Sequence, residues 1–209
     1  KQGTPTEQRL QFVRATLSKP PEAPPGTKFV YSNQGYAVAG AMIEKVTGKA
    51  WEDLMRTLLF QPLGMSTAGF GPPSTEGKVD QPWGHRGSGA EVKPFQSDNP
   101  PAIGPGATVH CSLGDLAKYA SLHIQGEAGR SKLLKADGFR KLHTALPGQQ
   151  YALGWFEVRS EAGMALNHSG SNTMFYVLIW VWPGSRQAVI VATNTAADGV
   201  DKAIGEIHG

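Results

Sequence analysis

Apolar and polar positions alternate between several periods along this chain. The strongest signal is an unbroken apolar run, Met174 to Trp182, ended by Pro183-Gly184. Its length and the turn after it predict a strand buried on both faces. A polar knot, Asn167-His168-Ser169-Gly170-Ser171-Asn172, stands immediately before it. Polar side chains where a core strand begins predict the mouth of a pocket.

The elements before the run are helical. Thr4-Pro5-Thr6-Glu7 predicts a capped helix start, with Pro5 in the first turn and Glu7 completing a capping box. Leu10, Val13 and Leu17 give that helix its apolar face, and it ends near Ser18 before the stiff, Pro-rich connector to Gly26. A second helix, Asn33 to Val46, carries Tyr36, Ala39, Gly40, Ile43 and Val46 on one face and stops at Gly48. A third, Trp51 to Phe60, has Leu54, Leu58 and Leu59 as its stripe and ends at Gln61-Pro62-Leu63-Gly64-Met65. From Ser66 to Cys111 the pattern dissolves, and fifteen of these 46 residues are Gly or Pro. So long a loop carries short strands or forms a rim over a site.

Regular pattern resumes at Ser112, which has capping-box spacing to Asp115. The helix runs to about Ile124 with Leu116, Tyr119, Ala120 and His123 on one face. Asp137 is expected to cap a short helix through His143. Strands are then expected at Tyr151 to Arg159, Met164 to Asn167, Thr173 to Trp182 and Gln187 to Asn194. Glu161-Ala162-Gly163 reads as a turn, and Asp198 starts a last helix to about Ile207. Short connections make these strands antiparallel. The fold class is α+β in one domain, with a mostly helical lobe over 1–147, including the 66–111 loop, and a sheet with a C-terminal helix over 148–209.

Composition narrows the function classes. The 209 residues carry a net charge of +3 with no basic run, so no nucleic-acid partner is expected. No apolar stretch reaches the length of a membrane span. The single cysteine, Cys111, excludes an intrachain disulfide. The chain opens on Lys1-Gln2-Gly3 without a leader pattern and is expected to be a mature form or a fragment.

Three sets of residues carry candidate chemistry. Tyr31 and Asn33 read either as a packed aromatic and an N-cap or as a proton-transferring phenol with an amide that orients a carbonyl. A phenol acting as a base needs a cation beside it to lower its pKa. His168-Ser169-Gly170 reads either as a polar turn or as a strand edge that offers a backbone N–H to an oxyanion and binds a substrate anion. His85, His110, Cys111, Asp115 and His123 lack metal-ligand spacing, so neither a metal nor another cofactor is expected. His143 and His208 read as surface or helix-end residues. Nucleophile-elbow, Walker and dinucleotide motifs are absent from the sequence.

The segment Pro24-Pro25-Gly26-Thr27-Lys28-Phe29-Val30-Tyr31-Ser32-Asn33-Gln34-Gly35-Tyr36 resembles the Tyr-x-Asn motif of the serine β-lactamase-like group. That group includes class C β-lactamases, D-Ala-D-Ala carboxypeptidases, D-aminopeptidases and esterases. Pro62-Leu63-Gly64-Met65 with Thr67 and Phe70, Ser112 to Tyr119, Gly154-Trp155 and His168-Ser169-Gly170 resemble later stretches of the same group, in the same order. The resemblance implies a β-lactamase/transpeptidase-like fold and a serine nucleophile that forms an acyl-enzyme from a small-molecule or peptide acyl substrate. It implies that Tyr31 shuttles protons beside a lysine and that Asn33 holds the substrate's amide. The backbone N–H of Ser171 would supply half of an oxyanion hole, and His168, Ser169 and Gly170 would form the wall at the substrate's carboxylate.

The sequence departs from the group in lacking a Ser-x-x-Lys motif; Thr75-Glu76-Gly77-Lys78 fits the letters but follows Tyr31 in the loop. The chain is therefore expected to be the C-terminal part of a serine hydrolase, incomplete on its N-terminal side and inactive alone. The alternative is a non-catalytic binding module or truncated pseudoenzyme. An uncovered sheet edge is expected to call for a missing N-terminal segment, a partner chain or a swapped homodimer. His168 in place of lysine favours peptidase or esterase over β-lactamase activity, and the loop with Trp83, His85 and Arg86 is expected to set specificity. The resemblance implies a periplasmic or secreted location.

Overall fold

The computed structural model describes residues 3–161 and 163–208, so Ala162 of the expected turn, with Lys1 and Gln2, lies outside the described residues. Helix α1 (Pro5–Leu17) has the predicted capping box: Thr4 N–H donates to Glu7 Oε2 at 2.7 Å, while Thr4 Oγ1 accepts from Glu7 N–H. Its buried face differs from the expected one. Arg9 and Val13 are buried, whereas Leu10 and Leu17 are exposed.

Arg9 is the reason. Fully buried, it donates from Nη1 to Glu44 and from Nη2 to Glu52, and its guanidinium lies 5.6 Å from the Trp51 ring centre. Glu44 Oε1 also accepts from Thr6 Oγ1 at 2.8 Å and from Trp51 N–H at 3.0 Å. One cation thus joins α1 to α2 (Asn33–Thr47) and α3 (Trp51–Met55). Two carboxylates out of water require this hydrogen-bonding, because an unpaired buried charge is strongly unfavourable.

In α2 the cap is Ser32, whose Oγ accepts from Gly35 N–H at 3.1 Å; Asn33 is the first helical residue. The buried positions are Ala37, Gly40 and Glu44, and Ile43 and Val46 face outward. A Cβ on Gly40 would come within 2.4 Å of Pro105, so the close crossing there needs glycine. Helix α3 runs on through a π turn (Arg56–Phe60) into α4 (Gln61–Leu63), which Gly64 ends with φ 64°. The extra residue in the π turn rotates the later face, so Phe60 is buried and Leu58 is exposed.

The 66–111 stretch does hold short strands. Among them β1 (Gly69–Phe70) pairs with β4 (Val109–His110), and β2 (Gly84–Arg86) pairs with β3 (Lys93–Phe95). A 3-10 turn (Pro101–Ile103) leads into the single-turn α5 (Gly104–Ala107). Helix α6 (Leu113–Glu127) anchors the loop through Asp115, which accepts from Thr67 N–H at 2.7 Å and from Lys118 Nζ at 2.6 Å. Lys118 first, then Thr67, hold this carboxyl at about 2. Asp115 therefore does not close a box onto the Ser112 N–H, which donates to Thr67 Oγ1 instead.

Helix α7 (Ala136–His143) follows Lys135, which makes no side-chain cap; Asp137 sits inside the first turn and pairs with Arg140. His143 is buried, not a surface residue. Its Nε2 lies 2.7 Å from His123 Nδ1 and its Nδ1 lies 2.9 Å from Glu127 Oε1, under Phe139 and Trp155. Burial first, and then His143, push His123 down to about 3.

The sheet is antiparallel in the order β5-β6-β7-β8, with β5 (Phe156–Ser160), β6 (Gly163–Ser171), β7 (Tyr176–Trp182) and β8 (Gln187–Thr193). The expected first strand is shorter than read, because Tyr151 joins only through an isolated bridge to Phe156. Strand β6 absorbs His168 to Ser171, so the polar knot is strand and not a turn before one. Leu166, Ile179 and Val181 pack with Ala120 of α6 and with Trp155. The alternate row of β7, Leu178, Trp180 and Trp182, is only half-buried, so the strand is not buried on both faces. Helix α8 (Val200–His208) lies against β7 with Ile204 buried. Among the described residues no strand pairs with the outer edge of β8.

Replacing Arg9 with Met is expected to cost about 3–5 kcal/mol in urea denaturation, because it strands two buried carboxylates; a change under about 1 kcal/mol would contradict the ion cluster's role. His123 gives a pH signature. Its folded pKa lies below the ordinary 6.5, so the unfolded chain takes the proton first. Stability is expected to fall as pH drops from 6.5 toward 3, and thermal denaturation should show a shallower fall in His123→Phe.

Candidate functional site

The turn into α2 places Tyr31 and Asn33 on either side of the Ser32 cap, with Tyr31 Oη 3.4 Å from Asn33 Oδ1. The Tyr31 ring is half exposed and packs edge-on against Tyr151, centre to centre 5.6 Å, and lies 6.3 Å from the His168 imidazole. Tyr151 Oη is 3.1 Å from His168 Nε2. The predicted residues Tyr31, Asn33 and His168 therefore share one site, joined through a residue that sequence reasoning did not select.

Strand pairing explains why His168 faces that site. On one side β6 pairs with β7 from Leu166 to Ser171. On the other side β5 pairs only as far as Phe156 opposite Asn167. The chain before β5 is turned away at Ala152 to Trp155, where Ala152 N–H donates to Trp155 O at 2.8 Å and Gly154 adopts φ 94°. His168, Ser169, Gly170 and Ser171 thus keep one edge unpaired among the described residues, and alternate N–H groups along it are free to donate to a ligand. Ser169 and Ser171 are exposed and His168 and Gly170 are half-buried.

The end of this edge is fixed by Asn172. Its Oδ1 accepts from Met174 N–H at 3.1 Å and from Phe175 N–H at 2.8 Å, while its Nδ2 donates to Asp98 at 3.0 Å. Ser171 Oγ accepts from Thr173 N–H at 3.0 Å, and Thr173 takes φ 72°. Beside Tyr31 a cleft of about 560 Å³ runs between Phe12, Asn33, Gln34, Pro100, Ala102 and Ile103. A smaller one, about 300 Å³, is lined by Gln150, Asn167 and β5 from Phe156 to Arg159.

The site's own groups are uncharged at neutral pH. Burial, then Tyr36, raise the Tyr31 phenol, and the Tyr151 hydroxyl opposes them. Burial, then Tyr36, push Tyr151 far up. Burial lowers His168 against a smaller contribution from the Ser169 backbone. Among the described residues no lysine or arginine shifts Tyr31, so its phenol lacks here the cation that a base requires.

The other candidates lie apart from one another. His110 Nδ1 bonds Gly71 O, His85 Nδ1 bonds Asn194 O, and His123 sits in its buried pair. Burial, then Asp115, push the Cys111 thiol up to about 11. Among the described residues no three His, Cys, Asp or Glu side chains gather as metal ligands. Thr75 of the Thr-x-x-Lys letters donates its hydroxyl to Asp80 at 2.5 Å. Tyr151 and Asn172 are the contributors that the sequence reading passed over. The only signal for Tyr151 was an aromatic residue just before the Gly154-Trp155 turn.

Comparison with known proteins matches a family model described as Beta-lactamase over residues 2–207. Penicillin-binding protein 4 of Amycolatopsis lactamdurans is 27% identical over 203 residues, covering 88% of this chain and 52% of that protein. A D-aminopeptidase of Cereibacter sphaeroides is 35% identical over 98 residues, covering 47% of this chain and 19% of its own length. The octameric penicillin-binding protein homologue from Pyrococcus abyssi superposes with TM-score 0.75 at 26% identity, covering 91% of this chain and 44% of that one. The chain spans about half the length of the first of these relatives.

Asn172→Ala removes three hydrogen bonds at the end of the open edge and is expected to cost about 1–3 kcal/mol. Hydrogen exchange should quicken at the Met174 and Phe175 amides; unchanged protection there would show that Asn172 does not hold the strand end.

Proposed function

Since this chain belongs to the Beta-lactamase family, we propose that it is the C-terminal part of a serine hydrolase acting through an acyl-enzyme on an amide or ester. The observation that carries the reading is the open edge of β6 beside Tyr31 and Asn33. The nucleophile comes from a Ser-x-x-Lys segment outside these 209 residues.

In this reading the serine oxygen attacks the acyl carbon, and its proton passes to Tyr31 and the lysine beside it. The N–H of Ser171 donates to the oxyanion as the tetrahedral intermediate forms. Tyr31 then protonates the leaving amine or alcohol as its bond to the acyl carbon breaks. Water attacks the acyl-enzyme and gives up its proton by the same route, releasing the acid and restoring the serine. Asn33 holds the substrate's amide, and His168 and Ser169 face the group beside the scissile bond.

The raised Tyr31 phenol fits this division of labour, because the missing lysine is the cation that would lower it. His168 in place of a lysine favours peptidase or esterase activity over β-lactam hydrolysis in this reading. The outer edge of β8 would receive strands supplied with the nucleophile or by a partner chain. An exported, periplasmic or surface location is part of the same proposal, on resemblance alone.

A second reading, a pocket that binds acyl compounds without chemistry, is favoured by the lack of a Ser-x-x-Lys motif in this sequence. Intact mass after treatment with a fluorescent penicillin or a fluorophosphonate separates the two. The chain alone is expected to gain no adduct, and the protein extended upstream through a Ser-x-x-Lys is expected to gain one. An adduct on the chain alone would refute an outside nucleophile, and none on the extended protein would leave the binding reading.

A further inference from the structure

Tyr151 lies in no motif of the resemblance, yet it packs against both Tyr31 and His168. The tight turn at Ala152 to Trp155 folds it back beside Phe156, and its side chain is almost fully enclosed. Its ring centre lies 5.4 Å from Phe29, 5.6 Å from Tyr31, 4.8 Å from Phe156 and 5.9 Å from His168. Such a box leaves the phenol little rotational freedom and places its hydroxyl 3.1 Å from His168 Nε2; the Tyr31 and Tyr36 hydroxyls also bond it, and they act as donors to its oxygen when its own proton goes to His168.

The pair has a definite proton arrangement. Burial keeps the Tyr151 hydroxyl protonated, and burial also keeps the His168 imidazole neutral. A neutral imidazole has one N–H and one acceptor nitrogen. With Nε2 accepting from Tyr151, the ring proton belongs on Nδ1; a bond to the Ser169 backbone also favours a proton on the ring. The ring contacts of His168 are Tyr31, Tyr151 and Phe156, all uncharged. The side chain tied to this end of the strand through Asn172 is Asp98, an acid and not a cation.

We propose that Tyr151 is a positioning residue whose hydroxyl donates to His168 Nε2 and fixes the imidazole as its neutral Nδ1–H tautomer. The wall at His168 and Ser169 then receives a neutral ester or amide group in preference to a free carboxylate. The substrate class rests on the hydrolase reading above, whereas the tautomer does not. A carboxylate brought against the Tyr31, Tyr151 and Phe156 rings would lose more of its hydration than an amide or ester does.

The test reads the ring nitrogens directly. Long-range ¹H–¹⁵N correlation spectra of the labelled protein at neutral pH should show His168 with Nδ1 protonated and Nε2 bare. Tyr151→Phe keeps the ring and removes the donor, and the spectrum should move toward the Nε2–H form. A wild-type imidazolium or Nε2–H form would overturn the proposal, as would an unchanged tautomer in a folded Tyr151→Phe protein. The wild-type spectrum decides the first of these even where the variant fails to fold.

Titration with N-acetylalanine amide and with N-acetylalanine supplies the second arm. The amide is expected to bind at least about tenfold more tightly, and preference for the acid would overturn the substrate class. Failure of both to bind would count against the hydrolase-site reading, while the tautomer measurement would still decide the role of Tyr151.

Discussion

The site depends on a strand that is hydrogen-bonded on both sides for half its length and on one side for the rest. Strand β6 has β5 beside it up to Asn167 and has β7 beside it through Ser171. Had β5 started earlier, its backbone would have closed the edge that offers N–H groups at His168 to Ser171. The turn at Ala152 to Trp155 prevents this by folding the chain back, with Gly154 in a backbone region that a side chain would strain. The same turn sets the Tyr151 ring beside Phe156 and His168. One local feature therefore opens the edge and furnishes its neighbour.

Charge is distributed in the opposite sense from what a hydrolytic site suggests. The buried charges lie in the framework, where Arg9 joins three helices through Glu44 and Glu52 and Asp115 ties the long loop to α6. Removal of one partner from such a buried pair is far more costly than loss of a surface pair such as Lys28–Glu22. The groups around the open edge are phenols and an imidazole, enclosed by other rings and held neutral by burial.

What was legible in the sequence was whatever local chemistry decides. The capping box of Thr4 and Glu7, the left-handed stops at Gly48 and Gly64, the Ser112 start and the antiparallel hairpins all follow from short-range hydrogen bonds or backbone preference. The faces of the first three helices were legible only in part: Val13, Gly40 and Leu54 are buried as expected. Apolar periodicity chose Leu10, Leu17, Ile43 and Val46, whereas the buried positions include Arg9 and Glu44, whose burial depends on partners distant in sequence. The π turn shifted the third helix face by a residue that no periodic pattern shows. Within the site, Tyr31, Asn33 and His168 were legible because they sit in recognisable motifs. Tyr151 was not, because its position comes from a turn and a bridge rather than from a motif.

These constraints bear on what can act as the base. A phenol beside aromatic rings loses solvation without gaining a cation, which is why Tyr31 lies above its ordinary range. Another phenol cannot reverse this fully; the Tyr151 hydroxyl opposes the rise but does not overcome it. His168 cannot supply the charge either, because an imidazolium there would lose its own solvation among Tyr31, Tyr151 and Phe156. A base at Tyr31 therefore needs a cation from outside these rings.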